Sequence, residues 1–204
     1  MSRNTLKDFR HDLYGCFQRA RDALWNLVDA LSSEPTARSL PELSLSPLFQ
    51  RKWASVYEAC EDGRIDEDQL REIFVRYAPL PAPGRHVFLG VDTSNLFRPE
   101  AETTEDRLLL PVPNLPEAAH VVSPGWVISS VVLLPTQPEQ GTFVLDPQRV
   151  RCSEVATEVA ARQLKAVIAL LVARGLKPIM LGDRWDACAP FLTRIGELES
   201  SGLL

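Results

Sequence analysis

Two short apolar segments that each end in an aspartate constrain the fold of this chain more than any other feature. The first, VFLGVD at 87–92, follows a Pro/Gly turn, and the second, PIMLGD at 178–183, lies far downstream. Short runs rich in Val, Ile and Phe between turn residues predict strands that are buried on both faces. An aspartate ending such a strand lies at the rim of the core. There a lone charge costs several kcal/mol unless a cap, a basic partner or a metal ion compensates it.

The residues between these two strands predict a mixed sheet. Alternating apolar segments predict strands over Leu108–Val112, Val127–Leu134 and Thr142–Leu145, in the order of an antiparallel meander. A helix capped by Ser153 follows and ends at Arg174, with Gly175 just past its end. If this helix is a crossover, Asp92 and Asp183 lie at the carboxyl ends of neighbouring strands.

The first part of the chain has helical periodicity. One long amphipathic helix is expected over Asn4–Leu31, and a second helix after Ser46-Pro47, where Ser46 would be the N-cap. Asp66 and Gln69 form a capping box for a third helix, and prolines at 79, 81 and 83 then make a stiff connector. We therefore expect an α/β (α+β) protein with an N-terminal helical unit at 1–78 and a sheet domain at 79–204.

Composition excludes several classes of function. The chain has 204 residues, 45% hydrophobic and 24% charged, and its net charge of −5 argues against simple DNA binding by this chain alone. The four cysteines, at 16, 60, 152 and 188, form no CxxC pair, which argues against an ordinary zinc site. No apolar run reaches the roughly 18 residues that span a bilayer. We expect a cytoplasmic protein with reduced thiols and no membrane partner.

The residues alone leave two interpretations of the carboxylates open. Asp92 and Asp183 could converge on Mg²⁺, a hard ion that takes carboxylate oxygens, water and phosphate. A pair of such ions about 4 Å apart would serve phosphodiester chemistry. Alternatively, each aspartate caps a following turn or helix. Asp146, which precedes Pro147, is expected in an Asp-Pro turn, and His86 and His120 in structural or surface roles.

Five segments together resemble the insertion-sequence transposases of the DDE type, which carry a helical unit before an RNase H-like domain. They are FRHDLY at 9–14, LPELSLSP at 40–47, VFLGVDTS at 87–94, HVVSPGW at 120–126 and LGDRWD at 181–186. The resemblance implies an RNase H-like mixed sheet flanked by helices. It also implies Mg²⁺- or Mn²⁺-dependent endonuclease and strand-transfer chemistry on DNA in transposition. By the same resemblance Asp92 and Asp183 are catalytic residues and metal ligands, DNA is the partner, and a homodimer is compatible.

One departure from the family limits these expectations. The resemblance implies a chain roughly twice as long and a third acid, usually Glu, on a later helix. Glu197 and Glu199 come too early to match that acid. We therefore expect a truncated transposase with two of three metal ligands, which binds Mg²⁺ poorly and is inactive in strand cleavage.

Two other functions remain open from the sequence. A haloacid-dehalogenase-like phosphohydrolase would use a strand-end Asp as nucleophile and a later Gly-Asp-x-x-x-Asp. Here Asp186 comes one residue early, and Ser94 replaces the acid expected two positions after Asp92. A non-catalytic, transposase-derived interaction module would instead bind a partner through its helical unit.

Overall fold

The computed structural model of the protein describes residues 3–100, 104–112, 121–137 and 139–181. The chain divides into two compact units, Met1–Ile73 and Phe74–Leu204. Helices dominate the first unit, and a mixed five-stranded sheet forms the second, so the expected α/β (α+β) class is confirmed. Within the described ranges, no helix combines the length and the apolar character that crossing a bilayer requires.

Five helices and two very short strands make up the N-terminal part of the described chain. They are α1 (Arg3–Gly15), β1 (Phe17–Arg19), α2 (Arg21–Ser33), α3 (Leu40–Ser44), α4 (Ala54–Asp62), β2 (Arg64–Ile65) and α5 (Glu67–Tyr77). The core between α2, α3 and α4 contains Leu27, Ala30, Leu43, Phe49 and Val56. Leu27 and Ala30 are three residues apart on α2, and the buried Val56 and Ala59 are three residues apart on α4, so each of these two helices buries one side.

The prediction of a single helix over Asn4–Leu31 is wrong, because the chain breaks between α1 and α2. Phe17 is 2% exposed and pairs with Ile65 across the antiparallel β1–β2 ladder. Ala20 then takes a left-handed conformation with φ of 52°, and Arg21 Nε donates to the Phe17 carbonyl at 2.7 Å. The apolar periodicity passes through the break, so the sequence pattern did not reveal it.

The predicted start of the second helix at Ser46-Pro47 is also wrong, because α4 begins only at Ala54. The N-cap in this region is Ser39, whose Oγ accepts from the Glu42 backbone N–H at 3.4 Å, while the Glu42 carboxylate accepts from the Arg38 N–H at 2.8 Å. This is the Ser-x-x-Glu pattern of a capping box. The cap predicted for the third helix is confirmed, since Asp66 Oδ1 accepts from the Gln69 N–H at 2.9 Å.

The sheet of the second unit has the predicted crossover, but the predicted meander is wrong in one pairing, because the first strand pairs with the third and not with the second. Its elements are β3 (His86–Phe97), β4 (Leu108–Pro111), β5 (Val122–Leu133), β6 (Phe143–Val150), α6 (Ala156–Val172) and β7 (Lys177–Leu181). β5 runs antiparallel between β3 on one side and β6 and β4 on the other. The crossover helix α6 returns the chain so that β7 lies parallel to β3. This arrangement is consistent with an RNase H-like fold.

Helix α6 covers one face of this sheet. Leu164, Val167, Ile168 and Leu171 on α6 are at most 2% exposed and pack with Val87, Leu89 and Val91 of β3. The helix ends as predicted, with Gly175 at φ of 72° just beyond it. The predicted cap is wrong, because the N-cap residue is Val155, which makes no side-chain cap bond.

Two predictions about strand ends are wrong. The first acidic strand does not stop at Asp92 but continues to Phe97, because β5 pairs with it as far as Phe97↔Gly125. Asp146 does not lie in an exposed turn but inside β6, where it is 3% exposed. There the β5–β6 register shifts between Val131 and Val132. Such a bulge lets an Asp-Pro pair continue within a strand.

Candidate functional site

Asp92 lies in the middle of β3 with its side chain exposed. Its Cα is opposite Ser130 of β5, and its Oδ1 accepts from the Thr93 backbone N–H at 2.7 Å. Successive residues of a strand point to opposite faces. Leu89 and Val91 pack under α6, so Asp92 lies on the other face, where a ligand can reach it.

The strand β7 is the parallel neighbour of β3 and carries the second acidic segment. The register runs from His86↔Lys177 to Gly90↔Leu181, which is the last pair in the described residues. Asp183 lies outside the described residues, as do Trp185 and Asp186. The structure therefore confirms that the two strands are parallel neighbours, while the meeting of Asp92 and Asp183 stays a prediction.

Two small residues, Gly90 and Ser130, are neighbours of Asp92 on its face of the sheet. Gly90, the preceding residue on that face, has no side chain, and a Cβ there would lie 3.2 Å from both Leu134 Cδ2 and Val132 Cγ2. Ser130 lies directly across the ladder. The sequence did not identify Ser130, because only the register of β3 against β5 brings it beside Asp92. Val132 and Leu134 occupy the space over Gly90 on this face.

A basic residue lies on the same face, one ladder row further along. Arg149 of β6 is opposite Ile128, whose partner on β3 is Ser94. Its Nη2 donates to Asp106 Oδ2 at 2.5 Å, and its Cζ lies 6.0 Å from the centroid of the Trp126 ring. Arg149 therefore lies two strands away from Asp92, and its charge is paired with Asp106.

Asp106 is also hydrogen-bonded to Cys152, which accounts for the raised pKa of that cysteine. The Cys152 backbone N–H donates to Asp106 Oδ1 at 2.7 Å. Hydrogen bonds from the Cys152 thiol and N–H, with Arg149 nearby, hold the pKa of Asp106 below its ordinary value. The thiol's bond to Asp106 raises the pKa of Cys152, which keeps it protonated and argues against a nucleophilic cysteine.

The other candidate groups lie away from Asp92. Asp146 is buried on the α6 side of the sheet, with both carboxylate oxygens 3.4 Å from Gln148 Nε2. His86, at the start of β3, lines a cleft of about 590 Å³ with Arg85, Leu134 and Thr136 among others. Among the residues that the structure describes, no three His, Cys, Asp or Glu side chains come together as a metal site.

The donor chemistry at Asp92 suits a hard cation. The carboxylate is exposed, and within the described ranges only its Oδ1 is engaged, by the Thr93 N–H. Mg²⁺ and Mn²⁺ favour such oxygen ligands and keep water or phosphate in the remaining positions. A single carboxylate is too few for a protein metal site, so a second acid has to contribute.

The comparison with known families adds to this geometry. The sequence model of one family, described as DDE superfamily endonuclease, matches residues 12–180. No curated protein matches the chain. The match spans both units and includes β3 with Asp92 and most of β7. Because it covers most of the sequence, we conclude that this chain belongs to the DDE superfamily of endonucleases.

Proposed function

We propose that this chain provides the first two metal-binding carboxylates, Asp92 and Asp183, of a DDE transposase that cuts and joins DNA strands. The observation that carries the proposal is the parallel pairing of β3 with β7 in the register Gly90↔Leu181. Membership in the DDE superfamily of endonucleases supports the same chemistry. The catalytic part would correspond to residues 79–204, and DNA would be its substrate.

The register supports a meeting of the two acids. Asp92 lies two residues after Gly90, and Asp183 lies two residues after Leu181. In parallel strands, residues at equal offsets from a paired position lie side by side and point to the same face. Two such carboxylates repel each other unless a cation lies between them. The matched offsets therefore favour a shared divalent ion over two independent caps.

When bound, Mg²⁺ or Mn²⁺ would activate a water or a 3′-hydroxyl and stabilise the leaving oxygen in phosphodiester chemistry. The described residues contribute position and access. Leu89 and Val91 are fixed against α6, which holds the backbone of β3 on either side of Gly90. Ser130 places a small side chain across the ladder from Asp92, and Arg149 lies on the same face two strands away.

Metal binding by the purified chain tests the proposed ligands directly. We expect Mn²⁺, followed by electron paramagnetic resonance, to bind weakly, because two carboxylates are a small ligand set. Asp92→Asn and Asp183→Asn should each abolish the bound signal. The control Asp8→Asn, at an exposed position of α1, should leave it unchanged. If Mn²⁺ binds equally well to both site variants, the assignment of the ligands is wrong.

Activity tests the function itself. In a full-length relative, alanine at the positions of Asp92 or Asp183 should abolish strand transfer without changing the unfolding midpoint. Transposition that persists in either variant would contradict the proposal. Acid-dependent turnover of a small phosphomonoester by the present chain, lost in Asp92→Asn, would instead favour the phosphohydrolase.

A further inference from the structure

A cleft of about 590 Å³ opens at the start of β3, within the second unit. Three segments form most of its wall: the proline connector at 79–81, the start of β3 at 84–88, and the end of β5 with the turn after it at 133–136. We call this space the β3 cleft. Its volume lies in the range of roughly 300–1,000 Å³ that is typical of small-molecule sites.

Hydrogen bonds hold the backbone of the β3 cleft in place. The Leu134 N–H donates to the Phe88 carbonyl at 2.8 Å, which extends the pairing of β5 with β3 into the cleft. The Lys177 N–H donates to the Arg85 carbonyl at 3.0 Å, which ties the opposite side of that segment to β7. Prolines at 79 and 81 restrict the connector. The cleft is therefore preformed, so a ligand would spend little binding energy on ordering it.

Apolar side chains cover much of the β3 cleft. Leu80, Phe88 and Leu134 line it and are half-buried, so part of their apolar surface is open to the cleft. Leu80 also packs against the core of the second unit, which fixes its position. Water gains little from contact with such a surface, and an apolar ring would replace it favourably.

The charge in the β3 cleft has one sign. Among the described residues that line it, Arg85 and His86 are ionisable, and there is no aspartate or glutamate. Both are exposed, and their side chains make no ion pair or hydrogen bond within the described ranges. The chain as a whole has 27 acidic residues against 22 lysines and arginines. A cleft without acids in an acidic chain favours an anionic ligand.

We propose that the β3 cleft binds a small organic anion, in which an apolar ring system carries one carboxylate, phosphate or sulfonate. The rings lie against Leu80, Phe88 and Leu134. The anionic group accepts hydrogen bonds from the Arg85 guanidinium, whose planar fork suits such oxygens, and from the His86 imidazole. Both parts of the ligand are required, because each matches a different part of the cleft.

Two fluorescent dyes that differ only in a sulfonate test the charge recognition. They are 8-anilinonaphthalene-1-sulfonate and its neutral analogue N-phenyl-1-naphthylamine. We expect the full chain to bind the sulfonate dye with a Kd on the order of 10–100 µM. Arg85→Gln should weaken that binding about tenfold and leave the neutral dye unaffected, which also shows that the variant keeps its fold. The control Arg98→Gln, at an exposed arginine just past the other end of β3, should bind both dyes like the parent.

Nuclear magnetic resonance locates the bound dye. The chain has three histidines, and the imidazole signal of His86 is identified by its loss in His86→Gln. That signal should shift on titration with the sulfonate dye, while the signals of the other two histidines stay in place. No metal or DNA is added, and Asp92 lies six residues, about 20 Å, further along β3. The result is therefore independent of the proposed endonuclease function.

Competition defines the class of ligand. 2-Naphthoate and 2-naphthyl phosphate should displace the sulfonate dye, and their relative strength shows which anionic group the cleft prefers. Inorganic phosphate at the same concentration should not displace it, because it has no rings. Three results would overturn the proposal. They are equal binding of the sulfonate dye by the parent and Arg85→Gln, a His86 signal that does not move, and displacement by a single-stranded oligonucleotide or inorganic phosphate but not by 2-naphthoate.

Discussion

Gln163 joins two strands at the point where their ladder is interrupted. It is fully buried on α6, and its Nε2 donates to the Ser129 carbonyl at 3.2 Å and to the Asp146 carbonyl at 2.8 Å. The β5–β6 bulge lies at this point, next to Ser130, the ladder partner of Asp92. Since buried carbonyls need donors, one amide on α6 compensates for the ladder bonds that a bulge removes.

Gln163→Met should lower the free energy of unfolding by about 2 kcal/mol, because it keeps the volume but leaves two buried carbonyls without their donor. Urea unfolding measures the change. The control Gln69→Met, at an exposed position of α5, should change the free energy by no more than about 0.5 kcal/mol. Equal effects at both positions would show that the two hydrogen bonds contribute little.

Asp106 ties the segment before β4 to the end of β6. It adopts a left-handed backbone with φ of 55° and accepts bonds from Arg149 and Cys152. Aspartate and asparagine tolerate this conformation better than most residues. Asn at this position therefore removes the charge while keeping the backbone.

Asp106 should give stability a distinct pH dependence. Folding lowers the pKa of Asp106. Its contribution to the free energy of unfolding is therefore complete above the ordinary aspartate pKa of about 4, and it is lost as the pH falls through the lower pKa of the folded state. The Asp106→Asn variant should therefore have a lower free energy of unfolding than the parent at pH 7, but not at a pH below the folded-state pKa of Asp106. Parallel urea curves at the two pH values measure this, and a constant difference would contradict it.

At the scale of elements, the connection from α6 to β7 depends on a single glycine. Gly175 follows α6 with φ of 72°, and its carbonyl accepts from the Gly84 N–H at 2.6 Å. This turn starts β7 in the parallel register that brings Leu181 beside Gly90. The turn therefore sets the register of β7, the strand that precedes Asp183, the expected second acid.

Gly175→Ala should lower the free energy of unfolding by about 1 kcal/mol, since a side chain is strained at this φ. A Cβ there would lie 3.4 Å from Pro83 Cβ, an ordinary contact, so strain and not a clash is the cause. Thermal unfolding measures the loss. Gly141→Ala is the matched control, because nothing lies within 4 Å of its added Cβ. A loss of similar size in the control would argue against the strain.

At the scale of the whole molecule, α6 supplies six of the fourteen buried apolar residues in the core of the second unit's described part. Its buried residues face strands β3 and β5, while Leu96 of β3 and Leu181 of β7 are 42% and 51% exposed. Asp92 is also exposed, so one face of β3 is buried under α6 and the other is exposed to solvent. The apolar core that stabilises the unit therefore lies on one face of the sheet, and the candidate site lies on the other.

Leu164→Ala, at a fully buried position of α6, should lower the free energy of unfolding by about 2–5 kcal/mol. Leu45→Ala, at a leucine that is 81% exposed, should change it by no more than about 0.5 kcal/mol. Urea unfolding of the two variants measures the contrast. Similar losses at both positions would mean that α6 is not the main cover of the sheet.

The sequence predicted those parts of the fold that depend on local chemistry. Asp66 with Gln69 marked the start of α5, and Gly175 marked the end of α6, because caps act within a few residues. At the candidate site, the sequence identified Asp92 and its strand. It did not identify Ser130, which comes beside Asp92 only through the register of β3 against β5.

The sequence by itself determined which segments of the second unit become strands and which becomes the crossover helix, because apolar periodicity and capping are properties of neighbouring residues. Only the tertiary structure decided where β3 stops, since pairing with β5 extends it past Asp92 to Phe97. It also decided that Asp146 is buried, because a bulge and Gln163 satisfy the backbone there. These outcomes depend on contacts between residues far apart in the chain, which local patterns do not encode.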